Sequence, residues 1–81
     1  MYYVYVLRSL RDNFLYTGFT EDLERRLKEH NGGHVKSTRR RRPFVLVHKE
    51  DYADKESAMA REKFLKSGKG REQLKKLLAQ E

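Results

Sequence analysis

The chain contains no cysteine, so neither a disulfide nor a thiolate-bound zinc can staple the fold. Nothing in the composition therefore calls for an oxidising compartment. Long apolar runs are missing as well. No stretch approaches the roughly 20 apolar residues that a membrane span requires. The start, Met1-Tyr2-Tyr3-Val4-Tyr5-Val6-Leu7, lacks the apolar run and small-residue cleavage site of a signal peptide. A cytoplasmic protein with no membrane contact is the expectation. Glycine and the single proline are too scattered to mark a linker, and no repeat is visible. Residues 1–81 are accordingly read as one domain. Hydrophobic residues make up only 37% of the chain, so the core must be thin and every apolar element needs a partner.

Acidic residues are outnumbered. Twelve Asp and Glu stand against 19 Lys and Arg, a formal net charge of +7. In so small a chain this balance favours polyanionic partners, through electrostatic steering and counterion release. A generic basic domain has the same total, so the distribution of charge carries more weight than its sum.

What is present reads as alternating elements. Tyr2 to Leu7 is aromatic and β-branched, and Phe14 to Phe19 repeats that character, with Arg11-Asp12-Asn13 as turn chemistry between them. The pair is expected to form a hairpin. Thr20 offers a helix N-cap followed by Glu21 and Asp22, Leu23 and Leu27 mark a buried stripe, and Asn31-Gly32-Gly33 ends that helix. A polar, basic loop runs from Gly33 to Arg42 and Pro43 closes it. Phe44-Val45-Leu46-Val47 then reads as a central strand buried on both faces. Asp54 caps a second helix through about Lys66, Ser67-Gly68-Lys69-Gly70 stops it, and a last helix from Arg71 carries Leu74, Leu77 and Leu78. The order β-β-α-β-α-α predicts an α/β sandwich of the α+β kind, a small three-stranded mixed or antiparallel sheet flanked by helices.

Four tyrosines, Tyr2, Tyr3, Tyr5 and Tyr16, fall in the hairpin. Alternation puts Tyr3 and Tyr5 on one face and Val4 and Val6 on the other. An even-length turn adds Tyr16 and Gly18 to the face of Tyr5, where a bare glycine backbone would leave room for a substrate. Hairpin tyrosines also serve simply as good strand formers over a small core. In the first helix, Arg26 and His30 are four residues apart and share a face, with His30 expected at the rim of the buried stripe. Arg26 can offer its planar donor fork to a phosphate, whereas Arg25 points elsewhere as a solvated charge. In the second helix, Glu62 projects into an arc bordered by Leu65, Ala58 and Met59. A carboxylate there must be paired or hold a metal. The loop residues Lys36, Arg39, Arg40, Arg41 and Arg42 have no acid among them and suit the backbone of a nucleic acid. His30, His34 and His48 do not make a closed zinc site, because glycines interrupt the first pair. Gly68 and Gly70 fit a helix–helix turn better than a phosphate loop.

These residues resemble the GIY-YIG nuclease superfamily over nearly the whole chain. The first signature triplet is Tyr3-Val4-Tyr5 and the second Tyr16-Thr17-Gly18. The family's arginine matches Arg26, a histidine one turn on matches His30, and the metal-binding glutamate matches Glu62. Tyr3 stands where the first triplet usually has glycine, and no asparagine follows Glu62. The resemblance implies a metal-dependent endonuclease that hydrolyses phosphodiester bonds, most simply in DNA repair or processing. It implies Mg²⁺ or Mn²⁺ held by Glu62, a proton taken from water by Tyr5 or Tyr16, charge neutralisation by Arg26 and a proton relay or phosphate contact at His30. Other functions of the same fold are a non-catalytic nucleic-acid-binding module and an adaptor in a nucleoprotein complex. Cutting two strands would call for a homodimer, and targeting for a protein partner.

Overall fold

The computed structural model describes residues 1–79. Strand β1 spans Tyr2–Ser9 and β2 Leu15–Thr20, helix α1 spans Leu23–Asn31, β3 spans Phe44–Tyr52, α2 spans Lys55–Lys66 and α3 spans Gly68–Ala79. A single 3₁₀ turn, Arg39–Arg41, interrupts the basic loop. The order is the β-β-α-β-α-α expected. All strand pairings are antiparallel, and the sheet order is β2-β1-β3.

That order corrects the placing of the central strand. Phe44–Val47 belongs to an edge strand that runs on to Tyr52, and Leu46 is 38% exposed. The centre is β1, whose Val4, Tyr5, Val6 and Leu7 are all essentially buried. The continuous apolar run of β3 mimics a central strand because a bulge switches its alternation. Val6 pairs with His48 and Leu7 with Leu46, so Val47 is the extra residue. Phe44 therefore packs with Tyr5 and Leu7 on one face, while Val47 and Tyr52 pack with Val4 and Val6 on the other.

Each face receives its own helices. Leu23 and Leu27 of α1 pack on Tyr5, Leu7 and Phe44, whereas Ala58, Leu65 and Leu74 from α2 and α3 pack on Val4 and Val6. Local chemistry sets the helix ends. Asp22, not Thr20, caps α1 by accepting from the Arg25 amide; Thr20 ends β2 and accepts from the Asp22 amide instead. Gly33 takes a positive φ of 80° just past α1, with amide bonds from Gly33 and His34 back to His30 and Glu29 closing the helix. Asp54 caps α2 through the amide and hydroxyl of Ser57. Helix α3 starts at Gly68 rather than Arg71. Ser67 alone separates the two helices, and its hydroxyl accepts from the Gly70 amide. A Cβ at Gly70 would lie 1.8 Å from the Phe64 carbonyl oxygen, so only glycine permits this tight a corner.

One polar cluster ties β3 to the helices. Glu50 accepts from Tyr52 at 2.6 Å, from His48 at 2.8 Å and from Arg61 of α2 at 2.9 and 3.2 Å, and Arg61 reaches Gln73 of α3 at 3.3 Å. The bulge is what turns His48, Glu50 and Tyr52 toward Arg61. Burial raises the Glu50 carboxyl, but the hydrogen bonds from Arg61, His48 and Tyr52 and the charge of Arg61 outweigh it and hold the group at about 2. A carboxyl so depressed stabilises the fold fully above its ordinary 4.5, and this contribution is lost as pH falls through about 2. Glu50→Gln is expected to cost about 2 kcal/mol at neutral pH and to flatten that acid limb. Urea denaturation across pH measures both, and an unchanged acid limb would rule out the lock.

Candidate active site

The hairpin register puts Tyr5 opposite Gly18 and Leu7 opposite Tyr16. Tyr5, Tyr16 and Gly18 thus share the face that α1 covers, as alternation predicts. The reason for glycine differs from the one expected. The space above Gly18 belongs to the Tyr5 ring rather than to a substrate: an added Cβ would sit 2.6 Å from the phenol oxygen and 2.8 Å from Cζ. Any side chain at position 18 would push the phenol from its place.

That place is defined by His30. The imidazole is fully buried, not at the rim, and its Nε2 lies 3.0 Å from the Tyr5 hydroxyl. Its Nδ1 lies 2.8 Å from Oγ1 of Thr38, which is also fully buried. The Thr38 hydroxyl donates in turn to the Val35 carbonyl at 3.4 Å. With Thr38 donating onward, Nδ1 carries the imidazole proton and Nε2 accepts from Tyr5. The reverse polarity would leave the Tyr5 proton with no acceptor among the described residues, which a buried hydroxyl resists. Burial, helped by the Arg26 charge, lowers His30 to about 4, so the ring is neutral and free to accept at physiological pH.

Three further groups complete the face. The Tyr16 ring packs 4.8 Å from the His30 ring and 6.3 Å from that of Tyr5, and unlike Tyr5 it is only half-buried. Arg26 is 35% exposed and donates to Glu29 at 3.0 Å. Its guanidinium is held above its ordinary value, first by the Tyr5 phenol, so it stays charged. Burial pushes the Tyr5 phenol up to about 12, with the Arg26 hydrogen bond working against it and the charges of Tyr16 and Glu62 adding to the rise. Glu62, whose charge is felt at Tyr5, is 21% exposed and ion-paired with Lys66 at 3.4 Å. Its expected apolar surroundings are half right, since Ala58 and Leu65 are buried while Met59 is 45% exposed.

The basic loop divides its arginines. Arg41 pairs with Asp12 and lies 4.1 Å over the Phe14 ring, so it fastens the loop to the hairpin. The backbone oxygens of Arg40 and Arg41 accept from Arg11 and Ser9. The Arg42 guanidinium covers Gly33. Lys36, Arg39, Arg40 and Arg42 are exposed and available to an anion. Thr38, inside this loop, is the residue that sequence reasoning missed. A threonine among cations gives no local signal, and only its burial against His30 reveals it.

Two phenols, a buried imidazole and an arginine on one face, with the Glu62 charge of α2 felt at Tyr5, agree with a comparison to known families: a model described as the GIY-YIG catalytic domain matches residues 1–76. The chain belongs to the GIY-YIG family. Among curated relatives, a UPF0213 protein of Staphylococcus haemolyticus is 43% identical over 75 residues, covering 91% of this chain and 90% of that protein. A UPF0213 protein of Natronomonas pharaonis is 51% identical over 67 residues, covering 82% and 78%. The solution NMR structure of a UPF0213 protein from Bacillus halodurans is 43% identical, with a TM-score of 0.57 over 95% of this chain and 85% of that one. This GIY-YIG domain thus shares its fold with small relatives whose names specify no activity.

The proton order at His30 is directly testable. Long-range proton–nitrogen NMR spectra should show the Nδ1–H tautomer, titrating near 4 instead of the ordinary 6.5. Because the unfolded chain binds the proton first, stability should be full above 6.5 and decline as pH falls toward 4. Thr38→Val should redistribute the tautomers and cost about 2 kcal/mol, while Thr38→Ser should restore both. A ring titrating near 6.5 in the parent protein would contradict the buried-acceptor role.

Proposed function

We propose that this GIY-YIG domain is an endonuclease that hydrolyses phosphodiester bonds of nucleic acid, with DNA the first substrate to consider. The observation that carries this reading is the chain Tyr5–His30–Thr38, fully buried and fully hydrogen-bonded, against which Arg26 and Tyr16 are set. A structural core has no need of an imidazole and a phenol at its centre. A site that must hold charged partners at fixed distances does.

Roles follow from access. Tyr5 is 1% exposed and its proton is engaged by His30, so it acts as the support against which the Arg26 fork is oriented. Tyr16 has an open edge, which makes it the phenol that meets the attacking water. The Tyr16 hydroxyl gives its own proton to solvent and takes one from the attacking water; the water oxygen bonds to phosphorus, the bond from phosphorus to the 3′-oxygen breaks, and the 3′-oxygen takes a proton from solvent. Arg26, and Lys66 at 6.0 Å from the Tyr16 ring, are the positive charges beside this transfer. Arg26 neutralises charge as it grows on the phosphoryl oxygens.

A divalent cation fits the donor set. Among the described residues no group of three or more His, Cys, Asp or Glu could hold one, so the protein would offer the Glu62 carboxylate and leave the other positions to phosphate oxygens and water. Such oxygen-rich coordination with few protein ligands suits Mg²⁺ or Mn²⁺. Bound there, the ion would supply Lewis-acid stabilisation of the phosphate charge.

Purified protein incubated with labelled single- and double-stranded DNA and RNA, in Mg²⁺, Mn²⁺ or EDTA, tests the reading. Cleavage should require the cation. Arg26→Ala and Glu62→Ala should each slow it by about 10²–10³-fold, and Tyr16→Phe should slow it more than Tyr5→Phe. Salt-sensitive binding without cleavage of any substrate would mean a binding module instead.

A further inference from the structure

The outer edge of β2 is open, because the sheet order leaves it without a neighbouring strand. Between that edge and helices α2 and α3 lies a groove of about 480 Å³, within the range of about 300–1,000 Å³ typical of small-ligand clefts. Its walls are apolar where Phe14, Leu65 and Leu74 line it, and Phe14 is 39% exposed. Its rim carries Lys66, Arg71 and Lys75, and among the described residues no acidic one lines it. Lys66 is ion-paired with Glu62, whereas among the described residues neither Arg71 nor Lys75 has a carboxylate partner. These two exposed cations on α3 take no part in the site described above.

The groove is continuous with that site. Tyr16 forms part of its wall while packing on His30, and Lys66 joins its rim to Glu62. At the Phe14 end, Arg41 lies over the aromatic ring and brings the basic loop alongside. An occupant must therefore have an apolar, flat part for the walls and negative charge along the rim, and must reach Tyr16. A second copy paired symmetrically, groove on groove, would set the three rim cations against the same three, which opposes pairing. A nucleotide meets all three requirements.

We infer that this groove seats the nucleotide next to the cleaved phosphate, a step that rests on the nuclease reading. Its base turns out of the stack and lies against the exposed Phe14 ring, over a floor closed by the buried Leu65 and Leu74. The phosphates on either side rest on Lys66, Arg71 and Lys75, and the strand continues past Tyr16 to Glu62. Base contacts of this kind tolerate any sequence, because every base presents an apolar face.

The double variant Arg71→Ala/Lys75→Ala tests the rim, since both side chains are exposed and the fold does not depend on them. A fluorescent 20-nucleotide thymidine oligomer in EDTA is the probe, read by anisotropy across KCl concentrations. The variant should bind about tenfold more weakly, and the log–log salt slope should fall by about 1.4 for two lost phosphate contacts. In Mg²⁺ its KM should rise while kcat stays within about twofold. Phe14→Ala tests the wall. An abasic oligomer of equal length should bind the parent protein about tenfold more weakly than the thymidine oligomer, and this difference should shrink in the variant, with its melting temperature checked alongside. Unchanged affinity and slope in the double variant, with a parent that binds and cleaves, would overturn the groove and leave the nuclease reading standing. A parent that neither binds nor cleaves any nucleic acid would overturn both. Rim-dependent binding of polyglutamate that the oligomer does not displace, or rim-dependent dimerisation, would assign the groove to another occupant and overturn the proposal.

Discussion

The Tyr5 phenol, wedged over Gly18 and bonded to His30, is the contact on which the remaining geometry depends. It needs three elements at once. β1 supplies the phenol from the centre of the sheet, β2 supplies the missing side chain opposite it, and α1 brings the imidazole down from above. A side chain at position 18 or a shift of α1 by one turn would break it. The loop is drawn into the same arrangement through Thr38, so a run of cations that would otherwise be solvated is anchored beside the phenols. Burial then sets the electrostatics, raising Tyr5 to about 12 and lowering His30 to about 4. The imidazole stays neutral and the phenol keeps its proton.

The two faces of the sheet divide the labour. The α1 face holds the polar chain and Arg26 of the candidate site. The opposite face is an apolar core of Val4, Val6, Ala58, Leu65 and Leu74, edged by the Glu50–Arg61 cluster. That division gives a thin chain two small cores instead of one, the second apolar and the first built around the polar chain of the candidate site. The bulge at Val47 makes it possible. By switching the faces of β3 midway, it sends Phe44 to the site side and Glu50 to the helix side of one strand. Helix α2 spans the two roles. Arg61 locks it to β3, and the next residue, Glu62, lies within electrostatic reach of Tyr5.

Much of this was legible in the chain itself. Period-two alternation placed Tyr5, Tyr16 and Gly18 on one face, helical spacing joined Arg26 to His30, and turn and cap residues gave the element order. The family followed from the two triplets with Arg26 and Glu62 at matching positions. What local patterns could not supply was depth and pairing. Whether His30 lies at a rim or at the centre depends on what covers it, and the covering residue, Thr38, comes from a loop eight residues away. Which strand is central depends on partners. An apolar run such as Phe44–Val47 looks the same whether it has one neighbour or two. The purpose of Gly18 was equally hidden, because only the packed Tyr5 ring shows that the space is filled.

Sequence alone therefore determined the elements, their order, the family and the residue types that meet at the site, since these depend on periodicity and spacing along the chain. Tertiary structure alone decided the centrality of β1, the switch of faces in β3, the proton order through Tyr5, His30 and Thr38, and the open cationic groove beside β2. Each of these is a relation between segments distant in sequence, set by burial and by the need to satisfy every buried polar atom.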